Sequence, residues 1–264
     1  MRIVLMILGI GILLGQRPEP AAVSCISGGL ELFDAQGIVT DTAYRLARRS
    51  VVMVTAEDAC GSGVVWELTK ERIVIAASRH LLRKGAAAVV TLGADGNMSA
   101  GADGSISVQA ESLGYSQQYD VGFLSVSTAE VPEALLRHLR AVRPMQYDVE
   151  SEADRSAFAA AYVQWEIIQL GVDTESGGMG FFQGSITGVQ FVPVFNAQML
   201  ETACYAKAGM SGGGVFDRYG RFWGLIGGGE VAEDAERREA DVTYSLPPQT
   251  IEREYVLVME ANEE

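Results

Sequence analysis

Short apolar segments recur along most of the chain and are separated by polar or glycine-containing turns. Residues 73–82 and 121–126 are examples, each a brief apolar run next to a polar turn, as is typical of a buried strand. Helical periodicity is confined to residues 41–49, 132–142 and 248–256. The pattern therefore predicts a β-rich protein with few short helices.

The longest apolar run lies at the N-terminus. It has 13 residues, 3–15, follows Arg2, and is short for a membrane span but typical of a signal-peptide core. Small residues at 22–24 form a candidate cleavage site just before Cys25. The sequence predicts a signal peptide or N-terminal membrane anchor at 1–24 and a lead segment at 25–44. It therefore predicts a bacterial protein exported to the cell envelope or the medium, with membrane attachment through this segment as the alternative to secretion.

Composition narrows the candidate functions. The chain has 264 residues, of which 48% are hydrophobic, enough for one large or two small packed domains. Its formal net charge of −14 argues against nucleic-acid binding, because the phosphate backbone attracts basic surfaces. The polar, acidic stretches 144–160 and 228–241 predict loops or linkers.

The candidate chemistry begins at residues 209–213, Gly-Met-Ser-Gly-Gly. A serine hydroxyl attacks a carbonyl group only if a base removes its proton and donors stabilise the oxyanion. Gly209 can turn its N–H inward because it has no Cβ. Ser211 is thus the candidate nucleophile, with the Gly209 and Ser211 amides as the candidate oxyanion hole.

Only two histidines could serve as the base, His80 and His138. The five-residue motif also fits the nucleophile elbow of α/β-hydrolases, but those enzymes place the histidine after the serine, and none follows Ser211. His138 lies among arginines at the edge of a predicted helix face, as a surface histidine would. His80 ends a predicted strand and is the better base; a Ser–Lys dyad with Lys207 is the weaker alternative.

Asp120 is the candidate for orienting the imidazole. It opens the apolar run 121–126, a position where aspartate is also common simply as a turn residue. It lies between His80 and Ser211, however, in the chain order His…Asp…Ser of one class of serine hydrolases.

These residues give the chain a resemblance to the trypsin-like serine peptidases, and most of all to their HtrA/DegP branch. Similar stretches follow in order over residues 45–256: the first strand, a Gly-Ser-Gly strand, the histidine strand and turn, the aspartate region, a strand opening a second barrel, the serine loop with its following strand, and the last strand with a short helix, at residues 50–54, 61–65, 75–82, 110–124, 183–189, 209–224 and 244–247.

The resemblance implies an all-β fold of two packed antiparallel β-barrels, chymotrypsin-like. Barrel one would cover about 45–130 and barrel two about 160–250, with an acidic tail at 257–264. It also implies an exported serine endopeptidase that cleaves proteins or peptides with His80 as base, Asp120 as orienting group and Ser211 as nucleophile. No cofactor is implied, and no Cys/His spacing resembles a metal site.

The chain departs from the family pattern in several places. Met210 replaces the usual Asp or Asn, so activation by pairing of that aspartate with a freed N-terminus is not expected. Ser78-Arg79 before the histidine is also unusual. A PDZ domain, common in HtrA proteins, is not expected here. Met210 and Ser78-Arg79 support the alternative of a weak or inactive pseudoprotease that binds peptides or regulates a partner, whereas the PDZ domain bears only on processive or chaperone behaviour.

Two further expectations follow from the resemblance. The primary specificity pocket would be lined by Tyr205 and Ala206 and, on the opposite wall, by Leu225, Ile226 and Gly227, so cleavage after small or medium apolar residues is expected unless an acid such as Glu230, Glu233 or Asp234 reaches the pocket. Cys60 and Cys204 would flank the oxyanion loop as a candidate disulfide.

Overall fold

The computed structural model describes residues 2–5, 43–56, 59–82, 88–93, 104–174, 176–232 and 239–262, and only the backbone of residues 2–5, 231, 232 and 239. Most of the predicted signal peptide, nearly all of the lead segment, and the residues Cys25, Glu233 and Asp234 lie outside this range.

The first barrel contains six antiparallel strands and is closed. Its strands follow the order β2-β3-β4-β7-β6-β5, and β5 pairs back onto β2. Alternate side chains of these strands fill its interior, mainly Val, Ile and Leu. The strands are β2 (Val51–Ala56), β3 (Ala59–Leu68), β4 (Arg72–Ala77), β5 (Ala88–Gly93), β6 (Ser105–Tyr115) and β7 (Gly122–Ser127).

The second barrel is also antiparallel, in the order β12-β11-β8-β9-β10-β13, and is closed by pairing of β12 with β13. A short strand, β1 (Arg2–Leu5), pairs with the far end of β12. The predicted fold class of two packed antiparallel barrels is therefore confirmed. The strands are β8 (Glu166–Asp173), β9 (Gly178–Val192), β10 (Ala197–Lys207), β11 (Gly214–Asp217), β12 (Phe222–Ala232) and β13 (Glu239–Leu246).

The two barrels share a third apolar core between them. Val64, Trp66 and Phe123 of barrel one belong to the same buried cluster as Leu170 and Phe216 of barrel two. Hydrogen bonds also cross the interface, where the Ser62 N–H donates to the Ser211 carbonyl at 2.9 Å. Burying apolar area on both sides fixes the barrels relative to each other, so residues contributed by each are held in one site.

The helices are short and lie on the surface of the barrels. They are α1 (described residues 43–47), α2 (Arg79–Leu82), α3 (Glu133–Leu136), α4 (Glu152–Tyr162) and α5 (Pro248–Ala261), with 3₁₀ turns at Arg48–Ser50 and Thr128–Glu130. No described helix is long and apolar enough to cross a membrane. Within the helix predicted at 132–142, only Glu133–Leu136 is α-helical. Helix α5, in contrast, continues through most of the predicted acidic tail.

The prediction of loops at 144–160 and 228–241 was wrong in part. Helix α4 begins with a capping box between Ser151 and Asp154, and buries Phe158 against the ring of Trp223. Phe158 is the buried residue of a helix made mainly of alanine and charged residues, which gives a weak periodic signal and is why composition suggested a loop. The second stretch contains the ends of β12 and β13.

Candidate active site

His80 is the second residue of α2, the short helix that follows strand β4. Its side chain is only 6% exposed, and that of Asp120 is 10% exposed. Ser78, between the strand and α2, is completely buried. The sequence predicted that His80 ends the strand, but the strand ends at Ala77, and the buried Ser78 and helix α2 connect it to the histidine.

Two hydrogen bonds join Asp120 to His80. Its Oδ1 accepts the backbone N–H of His80 at 2.9 Å, and its Oδ2 lies 2.7 Å from Nδ1. The ionised carboxylate can only accept a hydrogen bond, so Nδ1 carries the proton and, in the neutral ring, the lone pair lies on Nε2. Nε2 is buried and has no hydrogen-bond partner among the described residues. The ring is thus held in the tautomer that can accept a proton through Nε2.

A buried network shapes the loop that carries Asp120. The Ser116 hydroxyl accepts the N–H groups of Gln118 at 3.1 Å and Tyr119 at 2.8 Å. It donates a hydrogen bond, at 2.7 Å, to the carboxylate of Glu254, which is a buried residue of α5. The C-terminal helix therefore helps to fix the turn immediately before Asp120.

Arg79 ties the histidine segment to the same loop. Its guanidinium donates to the carbonyl of Ser116 at 2.8 Å and to that of Gln117 at 3.1 Å. The residue that looked unusual in sequence thus connects the segment bearing His80 with the segment bearing Asp120. This role could not be predicted from the sequence, because the two segments are 37 residues apart.

Ser211 follows a turn formed by Lys207, Ala208, Gly209 and Met210. The Met210 N–H donates to the Lys207 carbonyl at 3.2 Å, which closes the turn. Gly209, its third residue, has φ +96°. A type II turn requires about +80° at this position, whereas type I requires about −90°. The sequence-predicted need for glycine at 209 agrees with this conformation.

The serine loop packs closely against barrel one. A Cβ added to Gly212, which has φ +84°, would lie 2.0 Å from the Ser62 carbonyl oxygen and 3.1 Å from the Ser78 nitrogen. The Gly212 N–H also donates to the Ile226 carbonyl at 2.7 Å. The segments that carry His80 and Ser211 are therefore in contact across the barrel interface.

The hydroxyl of Ser211 does not reach His80 in this structure. Ser211 is 1% exposed, and its Oγ lies 3.4 Å from the Gly227 carbonyl oxygen, to which it donates. Hydrogen bonds thus join His80 directly to Asp120. Ser211 lies in the same crevice, between the two barrels, but makes no hydrogen bond to Nε2 of His80.

Met210 is buried, in keeping with its apolar side chain. It is 0% exposed and packs on Gly171, where an added Cβ would lie 2.8 Å from the Met210 Cα. An ion pair lies beside it: Lys207 Nζ is 3.6 Å from Asp173 Oδ2, with exposures of 7% and 5%. From the sequence, Lys207 was a candidate only as an alternative base and Asp173 was not a candidate, although a charged residue at the end of an apolar strand was a signal.

The pocket prediction needs correction. Tyr205 is half-buried, its ring 4.8 Å from that of Phe182, and Ala206 is buried in the core of barrel two. The side chains of Leu225 and Ile226 are fully buried, Leu225 between the barrels and Ile226 inside barrel two, so they do not form an open wall. Their strand lies beside the serine through its backbone, at Gly227.

The disulfide prediction was wrong. Cys60 and Cys204 are free thiols. Cys60 lies on β3 of barrel one beside Thr55, whereas Cys204 is in the interior of barrel two. Each side chain packs within its own barrel, so the two sulfur atoms do not meet. Burial raises the pKa of Cys204 to about 12 and raises that of Cys60 as well.

His138 is exposed, and its carbonyl accepts a hydrogen bond from Arg49 at 2.6 Å, which agrees with the interpretation as a surface histidine. Within the described ranges, no group of His, Cys, Asp and Glu side chains could hold a metal ion.

Comparisons with known proteins agree with this geometry. The chain superposes on Deg5 with a TM-score of 0.61 at 17% identity, covering 87% of this chain and 98% of that one. It superposes on the inactive form of a serine-to-alanine mutant of Rv3671c from M. tuberculosis H37Rv with a TM-score of 0.57 at 14% identity, covering 84% and 92%. These likenesses show a shared fold. No curated protein matches the sequence.

A family model settles the relationship at the level of sequence. The model for the trypsin-like peptidase domain matches residues 61–225, which is more than half of the chain and includes His80, Asp120 and Ser211. Because this match covers more than half of the chain, the chain belongs to the trypsin-like peptidase family.

Proposed function

We propose that the chain is an exported serine endopeptidase in which Ser211 is the nucleophile, His80 the general base and Asp120 its orienting group. The observation that carries this proposal is the two-point bond between Asp120 and His80, at 2.9 and 2.7 Å. It leaves a buried, unpartnered Nε2 in the crevice that also contains Ser211. Family membership supports a peptidase acting on proteins or peptides.

The chemistry follows from these positions. The Ser211 oxygen forms a bond to the carbonyl carbon of the substrate while His80 Nε2 takes its proton. The Gly209 and Ser211 amides would stabilise the oxyanion. His80 then gives the proton to the departing amine as the C–N bond breaks, and water hydrolyses the resulting ester by the same route. Asp120 stabilises the imidazolium at both stages.

One rearrangement precedes this chemistry. The Ser211 hydroxyl must leave the Gly227 carbonyl and turn towards His80. The bond it gives up is long, at 3.4 Å. Catalytic hydrogen bonds in ligand-free sites are often long and tighten only when substrate binds.

The test is labelling by a fluorophosphonate probe, followed by peptide mapping. Ser211 of the wild type should be labelled, and Ser211→Ala should not. Ser156→Ala, which removes an exposed serine on α4, is the matched control and should label normally. Casein cleavage should fall by about 10⁴-fold in Ser211→Ala and in Asp120→Asn. Cleavage by Ser211→Ala at the wild-type rate would refute the assignment.

A peptide-binding pseudoprotease is the second candidate. The contact of Ser211 with Gly227 in place of His80 favours it, since a hydroxyl held this way is not activated. The labelling experiment separates the two candidates. A folded wild-type protein that takes up no label yet binds peptides would establish the binding module.

The specificity proposal concerns the side chain before the cut. Tyr205 takes the place at which trypsin-type enzymes carry the aspartate that binds Arg or Lys, and a buried unpaired cation would be costly. Glu230 was one of the acids that could have supplied a charge to the pocket, but its carboxylate accepts a hydrogen bond from the Tyr244 hydroxyl at 2.6 Å. Cleavage after Val, Ala or Leu is therefore expected. Profiling of a peptide library by mass spectrometry tests it, and a strong preference for Arg or Lys would contradict it.

Export is proposed from the sequence, on the apolar run of 13 residues after Arg2. Fractionation of the native host should find the protein outside the cytoplasm. N-terminal sequencing would then distinguish cleavage near Ser24, which gives a secreted form, from a retained anchor. A full-length product found only in the cytosol would overturn this part of the proposal.

A further inference from the structure

The oxyanion donor at Gly209 depends on the direction of one peptide group. In a four-residue turn the central peptide can point either way, which is the difference between type I and type II. The Ala208–Gly209 peptide adopts the type II direction, as φ +96° at Gly209 requires. If it flipped, the Gly209 N–H would point to the opposite side and the oxyanion hole would lose a donor.

Thr174, just after the end of β8, holds the carbonyl side of this peptide. Its hydroxyl donates to the Ala208 carbonyl at 3.1 Å, and its backbone N–H lies 3.5 Å from the same oxygen. A trans peptide directs its N–H opposite to its C=O, and the described residues contain no cis peptide bond. A carbonyl bonded to Thr174 therefore turns the Gly209 N–H away from Thr174.

Packing supports the same arrangement. A Cβ added to Gly209 would lie 2.6 Å from the Thr174 methyl carbon and 2.7 Å from the Val172 carbonyl oxygen. The Ser62 hydroxyl accepts the Val172 N–H and donates to the Gly209 carbonyl, both at 2.7 Å. The end of β8 is thus fitted to the turn on both sides of the Ala208–Gly209 peptide.

The neighbouring ion pair fastens the same two segments. Asp173 and Lys207 pair at 3.6 Å and are both almost completely buried. They stand immediately before Thr174 and Ala208 in the chain. This contact joins Lys207, the first residue of the turn, to the end of β8. The fourth residue of the same turn is Met210, where the family pattern has Asp or Asn.

We infer that Thr174 is a positioning residue that keeps the Gly209 N–H directed into the oxyanion hole, with the Asp173–Lys207 pair holding the turn against it. The catalytic part of this inference rests on the proposed function. The orientation of the peptide can be tested without catalysis.

The first experiment measures the peptide directly. The sequence contains two Ala–Gly bonds, Ala100–Gly101 and Ala208–Gly209. Labelling with ¹³C-carbonyl alanine and ¹⁵N-glycine therefore gives two NMR correlations, one of them an internal reference. Thr174→Val keeps the shape of the side chain but removes the hydroxyl. It should move the Ala208–Gly209 signal, whereas Thr174→Ser should leave it near the wild-type position.

The second experiment measures catalysis. Thr174→Val should lower kcat by about 10- to 10²-fold, with KM changed less than about 3-fold, because the donor acts in the transition state. Thr174→Ser should restore most of kcat. Thr187→Val is the matched control, since it removes a threonine hydroxyl that bonds to Glu201 at 2.7 Å elsewhere in barrel two. The melting temperatures of all variants should lie within about 4 °C of the wild type.

The outcomes are distinguishable. A Thr174→Val protein with an unchanged Ala208–Gly209 signal and unchanged kcat overturns the inference. A drop in kcat that Thr174→Ser does not restore, or that Thr187→Val reproduces, also overturns it. If the wild type takes up no fluorophosphonate but the signal still moves only in Thr174→Val, the proposed function fails while the positioning role stands.

Discussion

The buried pair of Lys207 and Asp173 gives the most quantitative prediction. At an N–O separation of 3.6 Å and an effective dielectric constant of about 20, the Coulomb attraction is about 4.6 kcal/mol. Removing one partner leaves the other charge buried, which costs about 3–5 kcal/mol. Lys207→Met or Asp173→Asn should therefore lower the melting temperature by about 6–20 °C, at about 2–4 °C for each kcal/mol.

Thermal unfolding measures the melting temperatures and urea unfolding measures the free energies, both followed by tryptophan fluorescence, with Ser211→Ala as the background so that self-cleavage does not interfere. The two single variants and the double variant form a cycle, in which the pair should couple by about 2 kcal/mol or more. The double variant should be destabilised by less than the sum of the two single variants, because it removes both charges together.

The matched control is Arg137 with Glu133, an i,i+4 pair whose side chains are 74% and 78% exposed. Its coupling should be about 0.5 kcal/mol or less, since solvent screens exposed pairs. A coupling as small for Lys207 and Asp173 would refute the reasoning, because it would mean that burial does not strengthen this contact.

Three further predictions concern other parts of the molecule. Gly212→Ala should lower the melting temperature by more than about 4 °C, because its Cβ would lie 2.0 Å from the Ser62 carbonyl at φ +84°; an unchanged value would contradict this. Cys204 should resist iodoacetamide at pH 8 in the folded protein, and stability should fall as pH rises from about 9 to about 12, because the folded pKa of about 12 exceeds the ordinary 9.0 and only the unfolded chain loses that proton; rapid alkylation of Cys204 without urea would refute it. Glu254→Met should lower kcat by about 10-fold or more, because it removes the acceptor of the Ser116 hydroxyl beside Asp120; comparison of kcat with KM checks it.

Much of the fold and of the candidate site could be predicted from the sequence. Apolar strands separated by turns predicted the barrels, since the alternation of buried side chains is a local property of each strand. The candidate residues His80 and Asp120 were recognisable because each stands at the end or the start of such a strand. Ser211 was recognisable because glycines surround it, and Gly209 has the positive φ that this turn requires.

The errors share one cause. Leu225 and Ile226 alternate as strand residues should, but only the packing of the barrels decides that both are buried. Cys60 and Cys204 were paired on a resemblance, and their separation into different barrels is a property of the whole fold. Polar composition likewise concealed helix α4, whose stability comes from the aromatic residues beneath it.

The sequence by itself therefore determined the strands, the order of the three candidate catalytic residues and the glycines at the serine turn, because these depend on residues close together in the chain. Only the tertiary structure decided which partners hold them. Ser62 is 147 residues from Gly209, and Glu254 is 138 residues from Ser116. Such contacts have no local pattern, since a hydrogen bond between distant segments depends on where the barrels bring them. The same is true of Thr174, whose role exists only because β8 ends beside the Ala208 carbonyl.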